Sequence, residues 1–335
     1  MHSVLILGCG NIAGGFDAAR ESIASAAPLT HAGGYRAHGG FDIAACVDPD
    51  DARRQAFGTR WNVDRAAASI MDLGASPGEF DVISICSPNR CHAEHLDAAI
   101  ALRPRVIFCE KPVTDSAAAT QAAVARCAEL GVALAVNYSR RWAPDVIDLA
   151  DRLAAGEWGA VRSFVGTYTK GVLHNGGHLI DLIHLLLGPV RLIAAGRAIH
   201  DFWDDDPSVP ALLETESGVP GHLAIGHAPD YALFELTITT ERGEIAMRDG
   251  GFAWTERRVE DSAIFPGYRT LGRMTARVGA YGAAMCGAID NIAAALDHDR
   301  ALRSTGETAL AAQRICETIR NTALAADSPF ARTRQ

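Results

Sequence analysis

Two stretches of the sequence carry side chains that can exchange protons with a bound molecule. The first is Glu110-Lys111-Pro112, which follows an apolar segment. The second is 174–181, where His178 and Asp181 lie one turn apart on a predicted helix. Desolvation lowers the pKa of an ammonium group, so a lysine in a dry cleft can act as a general acid or base near neutral pH. The sequence therefore contains the residue types that an acid–base site needs.

A glycine-rich turn near the start of the chain predicts a site for an anion. Residues 4–7 form the continuous apolar run of a strand buried on both faces, and Gly8-Cys9-Gly10-Asn11-Ile12-Ala13 follows directly. Gly8 permits a tight turn, Gly10 lets the backbone approach a ligand, and Ala13 allows close packing of a helix on the strand. Backbone N–H groups at the start of that helix would face the pyrophosphate of a dinucleotide.

Asp48 gives an expectation about which dinucleotide binds. It follows a predicted strand over 41–47. A carboxylate at the end of this strand can bond both ribose hydroxyls and repel a 2′-phosphate. Residues 15–40 lengthen the distance from the glycine turn, and we predict a loop or broken helix there, near the cofactor crevice. Arg53 or Arg54 provides the alternative, because an arginine can receive the 2′-phosphate of NADP. We expect NAD, with NADP as the alternative.

Strands and helices alternate through the first part of the chain. The predicted strands are 4–7, 41–47, 80–86, 105–109 and 132–136. This alternation predicts βαβ units with right-handed crossovers, and hence a doubly wound parallel sheet. Ligands bind at the carboxyl ends of such strands. The residues that follow the strands are therefore candidates for binding a cofactor: Gly8, Gly10, Asp48, Ser87, Pro88, Asn89, Glu110, Lys111 and Asn137.

The pattern changes near residue 140, where longer alternating segments begin. We predict helices over 144–155, 178–187, 280–297 and 306–326, and strands over 161–169, 190–200, 212–216, 221–228, 233–240 and 244–247. Residues 250–275 are poorly periodic and receive no predicted element, and we expect 328–335 to fray. We expect a Rossmann domain over 1–137 and an α+β domain over 138–330 with a large, open, mostly antiparallel sheet.

Composition argues against several classes of protein. A chain of 335 residues suggests about two domains, and a net charge of −9 argues against nucleic acid or an anionic membrane as partner. No apolar run approaches the ~20 residues that span a bilayer, and no basic segment precedes the first strand, so we expect no signal peptide and a cytoplasmic location. The eight cysteines form no C-x-x-C pair, so we expect reduced thiols and no metal site. The acids of 200–206 are interpreted as a solvated loop.

The chain resembles the glucose–fructose oxidoreductase, inositol dehydrogenase and rhizopine-catabolism (Gfo/Idh/MocA) family over about residues 1–325. The motifs that carry the likeness are Gly8-Cys9-Gly10-Asn11-Ile12, Cys46-Val47-Asp48-Pro49, Ser87-Pro88-Asn89-x-x-His92, Glu110-Lys111-Pro112 and Gly176-Gly177-His178-Leu179-Ile180-Asp181. The resemblance implies an NAD(P)-dependent oxidoreductase that forms a homodimer or homotetramer. It also implies that Asn11, Ile12 and His92 help to bind the cofactor. Lys111 would reach the nicotinamide and the substrate, Pro112 would follow a cis peptide bond, and His178 would act with Lys111.

One part of the chain departs from the family pattern. Many members carry Asp-x-x-x-His-x-x-Asp, and aligning its later part with His178 and Asp181 places His174 where the first Asp stands. A rival alignment on His184 would need an Asp at position 180, which is Ile180. His178 therefore lacks the usual carboxylate, and it either acts alone with Lys111 or shares the role. The residues that can take part of the role are His174, Asn175 and Lys170.

These observations predict hydride transfer between a nicotinamide and a secondary alcohol or ketone of a sugar, cyclitol or nucleotide sugar. The predicted substrate-binding residues are Lys111, Arg140, Lys170, His174, Asn175, His178 and Asp181. Arg140 or Arg141 can bind an anionic group of the substrate, or either can form an interdomain salt bridge. Two alternatives stay open: a hydrolase or lyase that uses NAD without net redox, and a non-catalytic subunit that binds a dinucleotide.

Overall fold

The computed structural model describes residues 1–18 and 27–327 of the chain. Part of the predicted 15–40 insertion, 19–26, and the predicted frayed tail, 328–335, lie outside the described residues. The chain divides into two compact units. The first comprises Met1–Ala143 and Gly282–Leu310, and the second comprises Pro144–Tyr281 and the segment from Ala311 onward. Each unit is built around one β-sheet.

The sheet of the first unit is parallel throughout. Its strands are β1 (His2–Leu7), β2 (Phe41–Val47), β3 (Ala66–Ala67), β4 (Val82–Ile85), β5 (Val106–Cys109) and β6 (Ala133–Val136). They lie in the order β3-β2-β1-β4-β5-β6. This arrangement confirms the predicted doubly wound parallel sheet. Only β3 was not predicted, because two alanines have no hydrophobic pattern.

Helices cover both faces of this sheet. They are α1 (Phe16–Ala18), α2 (His31–His38), α3 (Asp51–Trp61), α4 (Ile70–Leu73), α5 (His92–Ala101), α6 (Ala117–Glu129) and α9 (Ala284–His298). Val4 and Ile6 of β1 are buried in one apolar cluster, and Leu5 and Leu7 are buried in another. The continuous apolar run of β1 is therefore explained by burial on both faces.

A segment distant in sequence completes the first unit. The indole Nε1 of Trp142 donates to Asn291 Oδ1 of α9 over 2.9 Å, and the backbone N–H of Arg303 donates to the same oxygen over 2.8 Å. Beside β6, the Ser304 hydroxyl donates to the carbonyl of Val136 over 2.6 Å. Hydrogen bonds to side chains thus hold 282–310 against the parallel sheet.

The second unit contains a mixed sheet. Its strands are β7 (Val161–Tyr168), β8 (Val190–Ala195), β9 (Ala211–Thr215), β10 (Pro220–Ile225), β11 (Phe234–Thr240), β12 (Gly243–Arg248), β13 (Ala253–Asp261), β14 (Arg269–Leu271) and β15 (Thr275–Val278). The order is β14-β13-β12-β11-β7-β10-β9-β8, with β15 also pairing β13. Among these described strands, only the β7–β10 pair is parallel, so the expected large, mostly antiparallel sheet is confirmed.

Two predictions of local structure in this unit were incomplete. The predicted strand over 190–200 ends at Ala195, and Ile199 forms only an isolated bridge with Ser208. Residues 250–275, which received no element, contain β13, β14 and the start of β15. Most of β13 is at least partly exposed, so burial imposes no alternating apolar pattern on that strand.

The helices of the second unit are α7 (Pro144–Ala154) and α8 (Gly176–Leu187), and α10 (Gly306–Asp327) begins in the first unit and continues here. Helix α8 lies close on β7 because Gly166 has no side chain; a Cβ there would come within 2.6 Å of Leu179 Cδ2. Within the described ranges, no helix is long and apolar enough to cross a membrane.

Asn291→Ala should lower the free energy of unfolding by about 1–3 kcal/mol, because the N–H of the buried Trp142 loses its acceptor. Urea denaturation followed by tryptophan fluorescence measures the change. Asp290→Ala, on the exposed side of the same helix, is the control and should change stability by less than about 0.5 kcal/mol. Equal losses in the two variants would contradict this account of Asn291.

Candidate functional site

The glycine turn after β1 has the backbone that the sequence predicts. Gly8 has φ +91°, and a Cβ at this position would lie 2.7 Å from the backbone of Ser87. A Cβ on Gly10 would meet no atom within 4 Å, so the chain leaves space for a ligand there. Asn11 and Ile12 then begin a π-helical turn, Asn11–Gly15, rather than an α-helix.

Asp48 holds this turn against the end of β2. Its Oδ2 accepts the N–H of Cys9 over 2.8 Å, and its Oδ1 accepts the N–H of Asp50 over 2.9 Å. Each carboxylate oxygen has a second lone pair and can still accept a hydrogen bond from a ligand. Nearby, Arg54 donates to the carbonyl of Asp48 over 2.6 Å and to the carboxylate of Asp51 over 2.5 Å.

A buried histidine connects the loops that follow β4 and β5. The ring of His92 lies 2.9 Å from the carbonyl oxygen of Ser87 through Nε2 and 2.7 Å from that of Pro112 through Nδ1. His95 Nδ1 lies 2.9 Å from the Ser87 hydroxyl, and burial lowers the pKa of His95. The Lys111–Pro112 peptide bond is cis, as the resemblance implies. His92 therefore couples the position of the Ser87 loop to that of Lys111.

Glu110 belongs to a buried polar network that the sequence did not predict. Its Oε1 lies 3.1 Å from Nε2 of His31 and accepts the side-chain N–H of Asn137 over 2.6 Å. On the other side of the imidazole, His31 Nδ1 lies 3.3 Å from the Ser84 hydroxyl, which is 2.8 Å from the hydroxyl of Tyr35. His31, Ser84 and Tyr35 are 0% exposed.

The charge of Glu110 is stabilised next to Lys111. Burial alone would raise the pKa of Glu110, but the hydrogen bond and charge of His31, the bond from Asn137 and the charge of Lys111 lower it below its usual range. His31 also stacks on Phe108 of β5, with 4.2 Å between ring centroids. No local signal identifies His31, because its partner lies 79 positions away in the sequence.

Asn137 presents an unused acceptor at the same sheet edge. Its Oδ1 is buried and has no hydrogen-bond partner within the described part of the chain. A buried polar atom of this kind is costly unless a ligand or water satisfies it. The atom fits a donor such as a carboxamide NH₂, the group that a nicotinamide carries. The residues of this edge therefore fit the predicted dinucleotide.

Arg140 and Arg141 lie in a 3₁₀ turn, Ser139–Trp142, just after β6. Both side chains are buried, and Arg141 Nη1 donates to the carbonyl of Arg303 over 3.4 Å. The structure therefore places both arginines in the first unit with Lys111.

The remaining candidates lie in the second unit. Lys170 precedes a π-helical turn, Gly171–Asn175, which contains His174 and leads into α8. On α8, the half-buried ring of His178 lies edge-on to Phe234 with 6.4 Å between centroids. Asp181 is 1% exposed, and its charge contributes to a raised pKa of Cys316 in α10.

The interpretation of 200–206 as a solvated loop was wrong for two of its acids. Asp201 and Asp206 are buried and accept backbone N–H groups of the turn that carries His174. Burial raises the pKa of Asp206 to about 6, against the effect of two backbone hydrogen bonds and the charge of Arg320. Across residues 1–18 and 27–327, no group of three His, Cys, Asp or Glu side chains is placed to hold a metal ion.

The first unit matches a known sequence family. The oxidoreductase family with the NAD-binding Rossmann fold, Gfo/Idh/MocA, matches residues 2–138. A D-xylose 1-dehydrogenase (NADP(+)) of Haloferax volcanii is 32% identical over 223 residues, which are 61% of this chain and 67% of the relative. The chain belongs to the Gfo/Idh/MocA family. The cofactor of this family is a nicotinamide dinucleotide, and the first unit contains its Rossmann fold.

Two further comparisons concern a curated relative and a solved structure. A D-glucoside 3-dehydrogenase of Escherichia coli is 32% identical over 181 residues, which are 48% of this chain and 49% of the relative. The chain thus spans about half to two thirds of the length of these curated relatives. The WlbA dehydrogenase of Bordetella pertussis, crystallised with NADH and UDP-GlcNAcA, has a TM-score of 0.74 at 17% identity and covers 96% of each chain. At that identity the likeness shows a shared fold.

Glu110→Gln should lower the free energy of unfolding by about 1–3 kcal/mol at neutral pH, because His31 and Asn137 lose a charged acceptor. A carboxyl whose pKa is lowered by folding stabilises the protein above its unfolded pKa, and this contribution disappears as the pH falls through its folded pKa. Urea denaturation at about pH 7 and about pH 3 should therefore show the difference between wild type and variant shrinking at low pH. Glu129→Gln, on an exposed helix end, is the control. A difference that grows at low pH would contradict the assignment.

Proposed function

We propose that the chain is an NAD-dependent oxidoreductase acting on a secondary alcohol or ketone of a sugar, cyclitol or nucleotide sugar. The main support is the ionised, largely buried Glu110 beside Lys111, at the sheet edge where the glycine turn and Asn137 lie. The bound nicotinamide supplies the hydride acceptor or donor. Lys111 holds the substrate oxygen and takes or returns its proton, and Glu110 orients Lys111 by its charge.

The proposal assigns the remaining candidates to cofactor and substrate. The residues that would hold the pyrophosphate and ribose are Gly8, Gly10, Asn11, Ile12, Ser87, Pro88 and Asn89. His92 would position the Ser87 loop. His178 is the proposed partner of Lys111 in acid–base chemistry. The proposed substrate contacts are Arg140, Lys170, His174, Asn175 and Asp181. An anionic substituent, such as a uronate or a nucleotide phosphate, would suit Arg140 because arginine binds carboxylate and phosphate oxygens in pairs.

The preference for NAD rests on Asp48 and its neighbours. Asp48, Asp50 and Asp51 follow the end of β2 within four residues, and their negative charge would repel a 2′-phosphate. Arg54 already donates to the Asp48 carbonyl and the Asp51 carboxylate. Its positive charge is therefore already paired with the Asp51 carboxylate.

Asp48→Asn should reduce the affinity for NAD by about tenfold and weaken the preference for NAD over NADP. Isothermal titration with each dinucleotide measures both effects. Asp42→Asn, on the exposed part of β2, is the control and should leave both affinities unchanged. Wild type that binds neither dinucleotide would overturn the proposal, and wild type that prefers NADP would overturn the role of Asp48.

Lys111→Met should keep the affinity for NAD but lower turnover by about 10²–10⁴-fold, the usual contribution of a general acid or base. Lys111→Arg tests proton transfer, because it keeps the positive charge but does not release a proton at neutral pH. Formation of reduced cofactor is followed with a panel of cyclitols, hexoses, uronates and nucleotide sugars.

Near-normal turnover in either variant would contradict the proposed role of Lys111. Product formation from added substrate without net change in the cofactor would instead support the NAD-assisted hydrolase or lyase. Cofactor binding with no turnover of any panel member would support a non-catalytic subunit.

A further inference from the structure

The chain has 31 lysine and arginine residues, and only two of them, Lys111 and Lys170, are lysines. The other 29 are arginines. An ammonium group differs from a guanidinium in being compact and in being able to release a proton when desolvated. Lys111 is the proposed acid–base residue of the first unit. The other lysine, Lys170, lies at the start of the turn Gly171–Asn175 in the second unit.

The backbone at Lys170 has an uncommon conformation that other residues must hold. Its φ is +64°, in the left-handed region that costs a residue with a side chain about 1 kcal/mol. The N–H of Lys170 donates to Asp201 Oδ2 over 3.2 Å, and that of Gly171 donates to the Ser208 hydroxyl over 3.0 Å. The Ser208 hydroxyl in turn donates to Asp201 Oδ1 over 2.8 Å. Asp201 thus holds the start of the turn both directly and through Ser208.

Asp206 holds the middle of the same turn. Its Oδ1 accepts the N–H of Leu173 over 2.8 Å, and its Oδ2 accepts the N–H of His174 over 2.9 Å. A Cβ on Gly171 would overlap the carboxylate of Asp206, so the acid fills the space that this glycine leaves. Asp206 is 8% exposed. Its two accepted hydrogen bonds therefore form in a largely desolvated environment.

Two aromatic residues between these acids contact the side chains that the turn presents. The Nζ of Lys170 lies 5.0 Å from the ring centroid of Phe202, within the range of a cation–π interaction. The rings of His174 and Trp203 lie edge-to-face, with 4.6 Å between centroids. One short segment thus contacts both the backbone and the side chains of the turn.

We propose that residues 201–206, which we call the positioning loop, fix Lys170 and His174 for contact with the substrate. Asp201 and Asp206 set the backbone of the turn, and Phe202 and Trp203 set the directions of the two side chains. The role in substrate contact rests on the proposed function. The contacts within the turn and the positioning loop are independent of it.

The first test is independent of activity. An amine-reactive acylating reagent is added to the full-length protein, and mass spectrometry follows the labelling of the two lysines. Phe202→Ala removes the ring next to Lys170 Nζ, and Asp201→Asn weakens the acceptor of the Lys170 N–H. Each should increase the labelling rate of Lys170 by about threefold or more and leave that of Lys111 unchanged. Asp204→Asn, an exposed acid of the same loop, is the control and should change neither rate. Unchanged labelling of Lys170 in both test variants would overturn the proposal.

The second test uses steady-state kinetics with a substrate from the panel. Trp203→Ala and Asp206→Asn should lower kcat/KM by about tenfold or more, while the affinity for NAD stays within twofold of wild type. Trp203→Phe, which keeps a ring beside His174, should restore most of the loss. Thermal unfolding identifies any variant that fails to fold. If Asp206→Asn does not fold, Trp203→Ala, which changes a half-buried side chain, decides. A kcat/KM within twofold of wild type in folded Trp203→Ala and Asp206→Asn would overturn the proposal. If no substrate turns over, the labelling result still decides it.

Discussion

Buried carboxylates hold the backbone of one turn in each unit, and each turn carries candidate functional residues. Asp48 accepts an N–H of the glycine turn, and Asp201 and Asp206 accept those of the turn around Lys170. Backbone N–H groups outside helices and sheets need acceptors when they are buried. A charged acceptor makes a stronger bond, which offsets the cost of removing the carboxylate from water. The shape of each turn therefore depends on an acid from another part of the chain.

Glu110 is also a largely buried carboxylate stabilised by hydrogen bonds, but its partners are side chains. Its carboxylate is bonded by the side chains of His31 and Asn137, and it remains charged next to Lys111. His92 connects the cis-proline loop to the loop after β4 through two backbone carbonyls. His92 and Glu110 thus hold the backbone on either side of Lys111.

Asp48 combines a structural role with its proposed role in selecting the cofactor. Both of its oxygens already accept backbone N–H groups, so its carboxylate is oriented before any ribose arrives. A group that is held in place in advance loses less conformational entropy on binding. The same bonds mean that a change at this position alters the glycine turn as well as the ribose contact.

The sequence by itself determined the parallel sheet, the ends of its strands and the family, because buried strands leave continuous apolar runs and ligand-binding turns need glycine. It also made Lys111 and the stretch around His178 candidates for the proposed site. Only the tertiary structure paired His31 with Glu110, brought Asp206 to the backbone of His174 and added 282–310 to the first unit. These contacts join residues tens to more than a hundred positions apart. Hydrogen bonds between such residues depend on how the chain folds back on itself, and local periodicity carries no signal of them.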